Sequence, residues 1–379
     1  MNEEKKRIGL IVNPYAGIGG RVALKGSDGE DIVQKALALG AVQMSPVRAK
    51  DALRELLPYK DEFELVTYPG DMGENEAKEL GFDPIVIGEL SGEITTAEDT
   101  KHAAKDMLNR AVEIIIFAGG DGTARDMYDV IGVDAPVIGI PAGCKIHSGV
   151  YGADPVSSGK LAALFVSGKT TTMAELEVMD IDEDAFRTGV VEARLYGYLK
   201  TLDEPTYTQG AKASSHAISD EVYFQAIAER VVMEMKPEKL YFVGSGTTTR
   251  AIMERLELPN TLLGIDVVKN KELILKDATE KQLLEIMDTV ENEGVEIIVT
   301  PVGGQGYIFG RGNQQLSPAV IRKAGGKNAI KVVAAPTKID SLPNQKIRVD
   351  TGDTELNDEL RSMYRVTTGF AETHIVGTL

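Results

Sequence analysis

Residues 119–123, Gly-Gly-Asp-Gly-Thr, bring three glycines, an acid and a hydroxyl into five positions. The chemistry such a set serves is the holding of phosphates and the orientation of a hydroxyl. Gly119, Gly120 and Gly122 carry no Cβ, so backbone amides can close on an anion. Asp121 supplies one carboxylate and Thr123 one hydroxyl. The residues just before, Ile114 to Ala118, are apolar without alternation, which reads as a parallel strand buried on both faces. Asp121 then sits at the strand's carboxyl end, where open α/β sheets bind ligands. A helix beginning at Thr123 would aim free N–H groups at the same point. A plain strand-to-helix turn that needs its glycines for geometry is the competing reading.

Four further stretches have the same character. Asn13-Pro14 with Gly17, Gly19 and Gly20 follows an apolar strand, Ile8 to Val12. Its backbone can wrap phosphates, yet it lacks the Lys-Ser/Thr of a Walker loop and the Rossmann glycine spacing. Pro141-Ala-Gly-Cys-Lys-Ile-His follows the strand 136–140. There Gly143 permits close approach and Lys145 offers a point charge for a phosphate. Cys144 reads as a small buried residue, and His147 as either a base or a structural hydrogen-bonding group. Gly244, Ser245, Gly246, Thr247 and Thr248 form a strand–loop–helix anion cradle whose form resembles the phosphate-binding loops of sugar-phosphate isomerases. A capping role for Thr247 is the alternative. Gly303 and Gly304 promise backbone close to a ligand. Arg311 is a candidate phosphate partner and Asn313 a reader of base or ribose; a structural hairpin turn competes. Asp350-Thr-Gly-Asp reads as a turn without chemistry.

The elements that must position these loops alternate strand and helix. Strands are expected near 8–12, 63–68, 84–87, 113–118 and 136–140, with helices between them. Thr96 opens one helix in a capping box whose fourth residue is Asp99. This order specifies an α/β fold with an N-terminal doubly wound parallel sheet over residues 1–170. Residues 175–181 and 189–199 show partial alternation and read as an antiparallel portion of a second, mixed α/β domain, 171–379. Residues 203–219 are polar and aperiodic and read as a mobile or active-site loop. Further strands are expected at 239–243, 261–267, 296–300, 330–335 and 346–349.

Composition narrows the function. The chain has 379 residues, 58 acidic and 41 basic, for a net charge of −17. Such a surface repels phosphate backbones, which argues against nucleic acid, and it opposes anionic membranes. Anionic substrates must be captured locally. One cysteine excludes an internal disulfide framework and a Cys-based zinc site, and four histidines show no metal-ligand spacing. The first apolar stretch is too short for a signal core or a span, so the expected location is the cytoplasm.

Gly119-Gly-Asp-Gly-Thr resembles the signature of the NAD kinase, diacylglycerol kinase and phosphofructokinase group. With Asn13-Pro14, Pro141-Ala-Gly-Cys-Lys, Gly244-Ser-Gly-Thr-Thr-Thr, Leu262-Leu-Gly-Ile-Asp-Val-Val and Gly303-Gly-Gln-Gly through Gly312-Asn-Gln-Gln, the chain resembles the ATP–NAD kinase family that includes the acetoin-catabolism protein X. The resemblance implies transfer of a phosphoryl group from ATP, with Mg²⁺, to a hydroxyl of NAD or a related nucleotide. It implies that Asp121 accepts or orients the hydroxyl proton and that Gly119, Gly120, Gly122 and Thr123 hold phosphates. No metal-ligand cluster is read from the chain itself. A homo-oligomer is a further family-level expectation. The Asn-Glu pair that follows the signature in NAD kinases has no counterpart in that place: Asn75-Glu76 precedes it and Asn292-Glu293 comes late. Two other classes therefore stand beside the kinase: a nucleotide-binding accessory protein without turnover, and a kinase for a sugar, polyol or nucleoside hydroxyl.

Overall fold

The computed structural model of the chain describes residues 5–24, 29–92, 94–143, 146–170, 172–181, 193–204, 207–208, 220–261, 263–290 and 294–379. The chain divides into two units, Met1–Ile18 with Gly26–Gln209 and Gly19–Lys25 with Gly210–Leu379. Each carries its own sheet.

The first sheet contains β1 (Lys6–Val12), β2 (Phe63–Thr67), β3 (Ile85–Val86), β4 (Ile114–Gly119), β5 (Val137–Pro141), β6 (Met173–Ile181) and β7 (Ala193–Leu202). Their spatial order is β3-β2-β1-β4-β5-β7-β6. β1 to β5 are mutually parallel. The helices are α1 (Glu30–Ala38), α2 (Ser45–Arg54), α3 (Glu74–Glu79), α4 (Ala97–Asn109), α5 (Asp121–Ile131) and α6 (Pro155–Val166). Successive side chains of a strand point to opposite faces, and here both faces are covered. Ile8, Leu10, Val12, Ile114, Ile116 and Ala118 pack with α2 and α6 on one side. Ile11, Ile115 and Phe117 pack with α4 and α5 on the other. Double coverage is why the strands read as unbroken apolar runs and why the sheet is doubly wound. The expected capping box forms at α4, where Asp99 Oδ2 accepts from the Thr96 amide at 2.8 Å.

The antiparallel ribbon β6–β7 is present, but it joins this first sheet. β7 lies parallel beside β5 through Val137 and Thr201, and the unit extends to Gln209 where a boundary after residue 170 was expected. The ribbon alternates because only one of its faces is buried. Val178 and Leu199 pack into the core while Tyr196 and Tyr198 are exposed. Alternation therefore reported an edge of the first sheet and not a new domain. Helix α6 was not expected; Asp154 caps it, its carboxylate accepting from the Ser157 amide at 2.6 Å.

The second sheet contains β8 (Leu240–Val243), β9 (Asp266–Lys269), β10 (Glu272–Leu275), β11 (Val295–Val299), β12 (Ile330–Val333), β13 (Met363–Thr367) and β14 (Thr373–Gly377), in the order β10-β9-β8-β11-β12-β13-β14. β8, β11, β12 and β13 are parallel, flanked by antiparallel ribbons at both edges. The helices are α7 (Glu221–Glu234), α8 (Thr247–Arg255), α9 (Glu280–Met287), α10 (Pro318–Ala324), α11 (Pro336–Asp340) and α12 (Thr354–Leu360). The strand expected over 261–267 starts only at Asp266. Its buried carboxylate accepts from the Thr261 amide and hydroxyl, both at 2.7 Å, and from the Asp277 amide at 3.0 Å, folding the preceding residues into a turn. Residues 346–349 make isolated bridges, Tyr307 with Arg348 and Ile347 with Thr378, in place of the expected strand. The β13–β14 hairpin was not foreseen. Most of the polar tract 203–219 lies outside the described residues. Among the described residues no helix is long and apolar enough to cross a membrane.

Candidate functional site

Three loops meet at the carboxyl ends of β1, β4 and β5, and glycine makes the meeting possible. A Cβ on Gly143 would stand 2.7 Å from the Gly120 Cα. A Cβ on Gly17, whose φ is +71°, would stand 2.3 Å from the Ala142 carbonyl oxygen. Main chain thus packs on main chain, a distance no other residue permits. The amides of Ala142 and Gly143 both donate to the Gly119 carbonyl, at 2.9 and 3.1 Å. Asn13 bridges the first and second loops, donating from Nδ2 to Thr123 Oγ1 at 3.0 Å and accepting the Tyr15 amide at 3.1 Å. Thr123 also packs on Gly119, where a Cβ would come within 2.4 Å of its own. Tyr151 closes the underside, its hydroxyl donating to the Gly120 carbonyl at 2.5 Å.

Helix α5 starts at Asp121, two residues earlier than expected, with Gly120 extended before it. Asp121 is 4% exposed and both its oxygens are engaged. Oδ1 accepts from the Ser148 amide at 3.0 Å and the Ser148 hydroxyl at 2.7 Å. Oδ2 accepts from the His147 amide at 2.7 Å, with His147 Nδ1 at 3.1 Å. A buried carboxylate is tolerable only when its lone pairs are filled in this way. Ser148 is held in turn by β6: its hydroxyl lies 3.0 Å from the Met179 carbonyl and 2.9 Å from the Met179 amide. The β6–β7 register shifts between Val178 and Met179. That irregularity lies beside the Met179 groups that hold Ser148. Ser148 was not singled out from the sequence, since its partners lie 27 and 31 residues away and leave no local pattern. His147 keeps Nε2 without a partner among the described residues.

Gly122, in the first turn of α5, is partly exposed. Of the glycine-rich loop after β1, Asn13 and Gly17 belong to the first unit, whereas Gly19 and Gly20 belong to the second. Only the first pair is built into the signature site. Lys145 and Cys144 lie outside the described residues.

In the second unit, the loops after β8 and β11 are stitched by one amide side chain. Asn313 Oδ1 accepts from the Ser245 amide and hydroxyl, both at 3.0 Å, and Nδ2 donates to the Ile308 carbonyl at 3.1 Å. Asn313 is fully buried, so it fastens two loops where the sequence suggested a reader of base or ribose. Gly244 leaves room for this amide; a Cβ there would lie 3.0 Å from Asn313 Oδ1. Gly246, at φ +129°, abuts Thr300. Arg311, expected to meet a phosphate, is 4% exposed; Nη1 donates to Gln305 Oε1 at 2.7 Å and the guanidinium stacks 4.5 Å from the Tyr307 ring centre. Its charge is engaged inside the fold. Thr248 is buried, Thr247 exposed, and Gly303 faces open space at φ +57°. Gly304, partly exposed, follows it in a single 3₁₀ turn.

Among the described residues no group of three or more His, Cys, Asp or Glu side chains is placed to hold a metal ion.

Comparison with known proteins follows the same division. The family model for the ATP-NAD kinase N-terminal domain matches residues 8–170, and that for the ATP-NAD kinase C-terminal domain matches residues 238–378. No curated protein matches the chain. Among solved structures, a proposed diacylglycerol kinase from Bacillus anthracis str. Sterne aligns over 48% of this chain and 45% of its own, at 14% identity and a TM-score of 0.23. The match therefore spans under half of that protein. Two family models covering most of the sequence, one on each side of the division between the sheets, place the protein: the chain belongs to the ATP-NAD kinase family.

Proposed function

We propose that the protein transfers the γ-phosphoryl group of ATP to a hydroxyl of NAD or a related nucleotide. The observation that carries this reading is the convergence of three glycine loops on the Asp121–His147 pair. The first-turn amides of α5, from Asp121 to Thr123, are the proposed phosphate holders, with Gly17, Gly119, Gly120 and Gly143 bringing bare main chain to the same point. Asp121 positions His147 by holding Nδ1, and Nε2 is the nitrogen proposed to receive the proton of the acceptor hydroxyl. That hydroxyl oxygen bonds to the γ-phosphorus as the bond from phosphorus to the bridging oxygen breaks and ADP leaves. Mg²⁺ carried on the nucleotide's own phosphates would neutralise charge there.

The test is purified protein with ATP, Mg²⁺ and NAD, read by a dehydrogenase strictly specific for NADP. Wild type should give signal. Asp121→Asn should lose about a thousandfold of kcat, since the imidazole loses its orienting acid. His147→Gln should lower kcat while leaving ATP binding in place, since it removes the nitrogen proposed to receive the proton. Full turnover by Asp121→Asn would remove the role given to this pair. One observation favours a second reading, nucleotide binding without turnover: every Asp121 oxygen already has two donors. Saturable ATP binding with no loss of ATP, across NAD, nucleosides, sugars and polyols, would decide for it.

A further inference from the structure

Lys338 is a half-buried ammonium. It lies on α11, just after β12, and Nζ donates to the Gly303 carbonyl in the loop after β11. Among the described residues no carboxylate forms an ion pair with it. The acid whose charge reaches it, Asp220, is itself buried and accepts a hydrogen bond from the Thr337 hydroxyl. Burial accordingly pulls the Lys338 amine below the usual lysine range, Asp220 offsetting this only in part. A desolvated cation is costly unless something negative meets it.

The surroundings suit an anion. Gly303 and Gly304 form an open turn beside Lys338. The same β11 loop touches the start of α8, where Gly246 abuts Thr300 and Ser245 is tied to Asn313. Helix α8 has no side-chain cap on its first amides, so its positive end remains available. β8, β11 and β12 are adjacent and parallel, so these three loops share one end of the sheet. We infer that the second unit holds its own anion site at the carboxyl ends of β8, β11 and β12, centred on Lys338, and that it takes the phosphate group of a small phosphorylated molecule. The inference rests on reading these loops as ligand-binding, and it does not require phosphoryl transfer.

The full-length protein is reductively methylated with ¹³C on its lysines, and the Lys338 resonance is identified by its loss in Lys338→Arg. Inorganic phosphate and pyrophosphate are then titrated in. The Lys338 signal should move saturably, and its titration should shift toward higher pH as the anion restores the charged form. By calorimetry Lys338→Met should bind pyrophosphate about tenfold more weakly at this site, the loss typical of one charge-assisted contact, while Lys338→Arg keeps most of the affinity. Circular dichroism confirms that both variants fold; if Lys338→Met does not, the wild-type resonance alone decides. A Lys338 signal unmoved by either anion overturns the inference, as does unchanged affinity in a folded Lys338→Met. A moving Lys338 signal in a protein that makes no NADP would remove the kinase reading and leave this site standing; NADP formation with a silent Lys338 would do the reverse.

Discussion

Both units place loops at the carboxyl ends of parallel strands, and both fasten those loops with one buried polar side chain. The first unit uses a carboxylate, Asp121, and the second an amide, Asn313. Asp121 collects four donors from His147 and Ser148, whereas Asn313 needs Ser245 and one carbonyl. A buried charge costs more to desolvate than a neutral amide, so it demands a fuller shell. That shell reaches as far as an edge strand, through Ser148 and Met179. The lesson is that both fasteners recruit partners from distant sequence, and the charged one draws on a further layer, Ser148 being held in turn by the Met179 main chain.

The two units also bury opposite ionisable groups beyond these fasteners. In the first, Glu76 on α3 is 2% exposed, and Oε2 has no partner among the described residues. Burial raises its pKa to about 7, Asp71 and Glu79 pushing the same way and Lys50 opposing. In the second, burial lowers Lys338. Each group leans toward its neutral form.

The largest effect should come from breaking the charged fastener. Asp121→Ala strands buried donors on His147 and Ser148 and should cost about 3–5 kcal/mol of first-unit stability, while Asn313→Ala should cost the second about 1–3 kcal/mol. Urea unfolding followed by circular dichroism reads both; equal losses would erase the distinction between the units. Next, the pH response separates the buried acid from the buried base. Glu76 has a folded pKa above its unfolded value of about 4.5, so ionising it is penalised in the fold. Stability should therefore fall as pH rises from about 4.5 to 7 by about 3 kcal/mol. Glu76→Gln should abolish that fall and be the more stable protein at pH 8. Lys338 carries the opposite sign: its folded pKa lies below the unfolded one, so its penalty is relieved as pH rises toward the usual lysine range. Lys338→Met should flatten that alkaline gain.

Smaller still is the contrast between two strained glycines. Gly17→Ala drives a Cβ into a backbone oxygen at positive φ, and Gly246→Ala drives one into the end of the Thr300 side chain. A carbonyl fixed by two loops cannot step aside, whereas a threonine methyl can rotate. We expect about 2–3 kcal/mol for Gly17→Ala and about 1–2 kcal/mol for Gly246→Ala, both paying for the left-handed backbone. Thermal melts would rank them, and a larger loss at Gly246 would show the Thr300 contact to be as rigid as main chain.

Much of the first unit was legible because its strands are buried twice over. Runs such as Ile114 to Ala118 need no partner in view to declare themselves, and Thr96 with Asp99 declares a helix start by a contact three residues long. The signature loop was legible for the same local reason. The β6–β7 ribbon was recognised as antiparallel but assigned to the wrong sheet, since alternation reports a half-buried ribbon without saying what it borders. Arg311 and Asn313 were legible as polar residues in a glycine loop, but not as buried ones.

The sequence by itself determined the apolar runs, the glycine turns between strand and helix, the capping box and the family signature. All of these depend on neighbours a few residues apart and on backbone freedom at single positions. Tertiary structure alone decided that β6 supports Ser148, that Ser148 and His147 fill the shell of Asp121, that Arg311 faces inward and that Lys338 forms no ion pair among the described residues. Hydrogen-bond satisfaction and desolvation are set by groups dozens of residues away, and no local pattern encodes which of them will arrive.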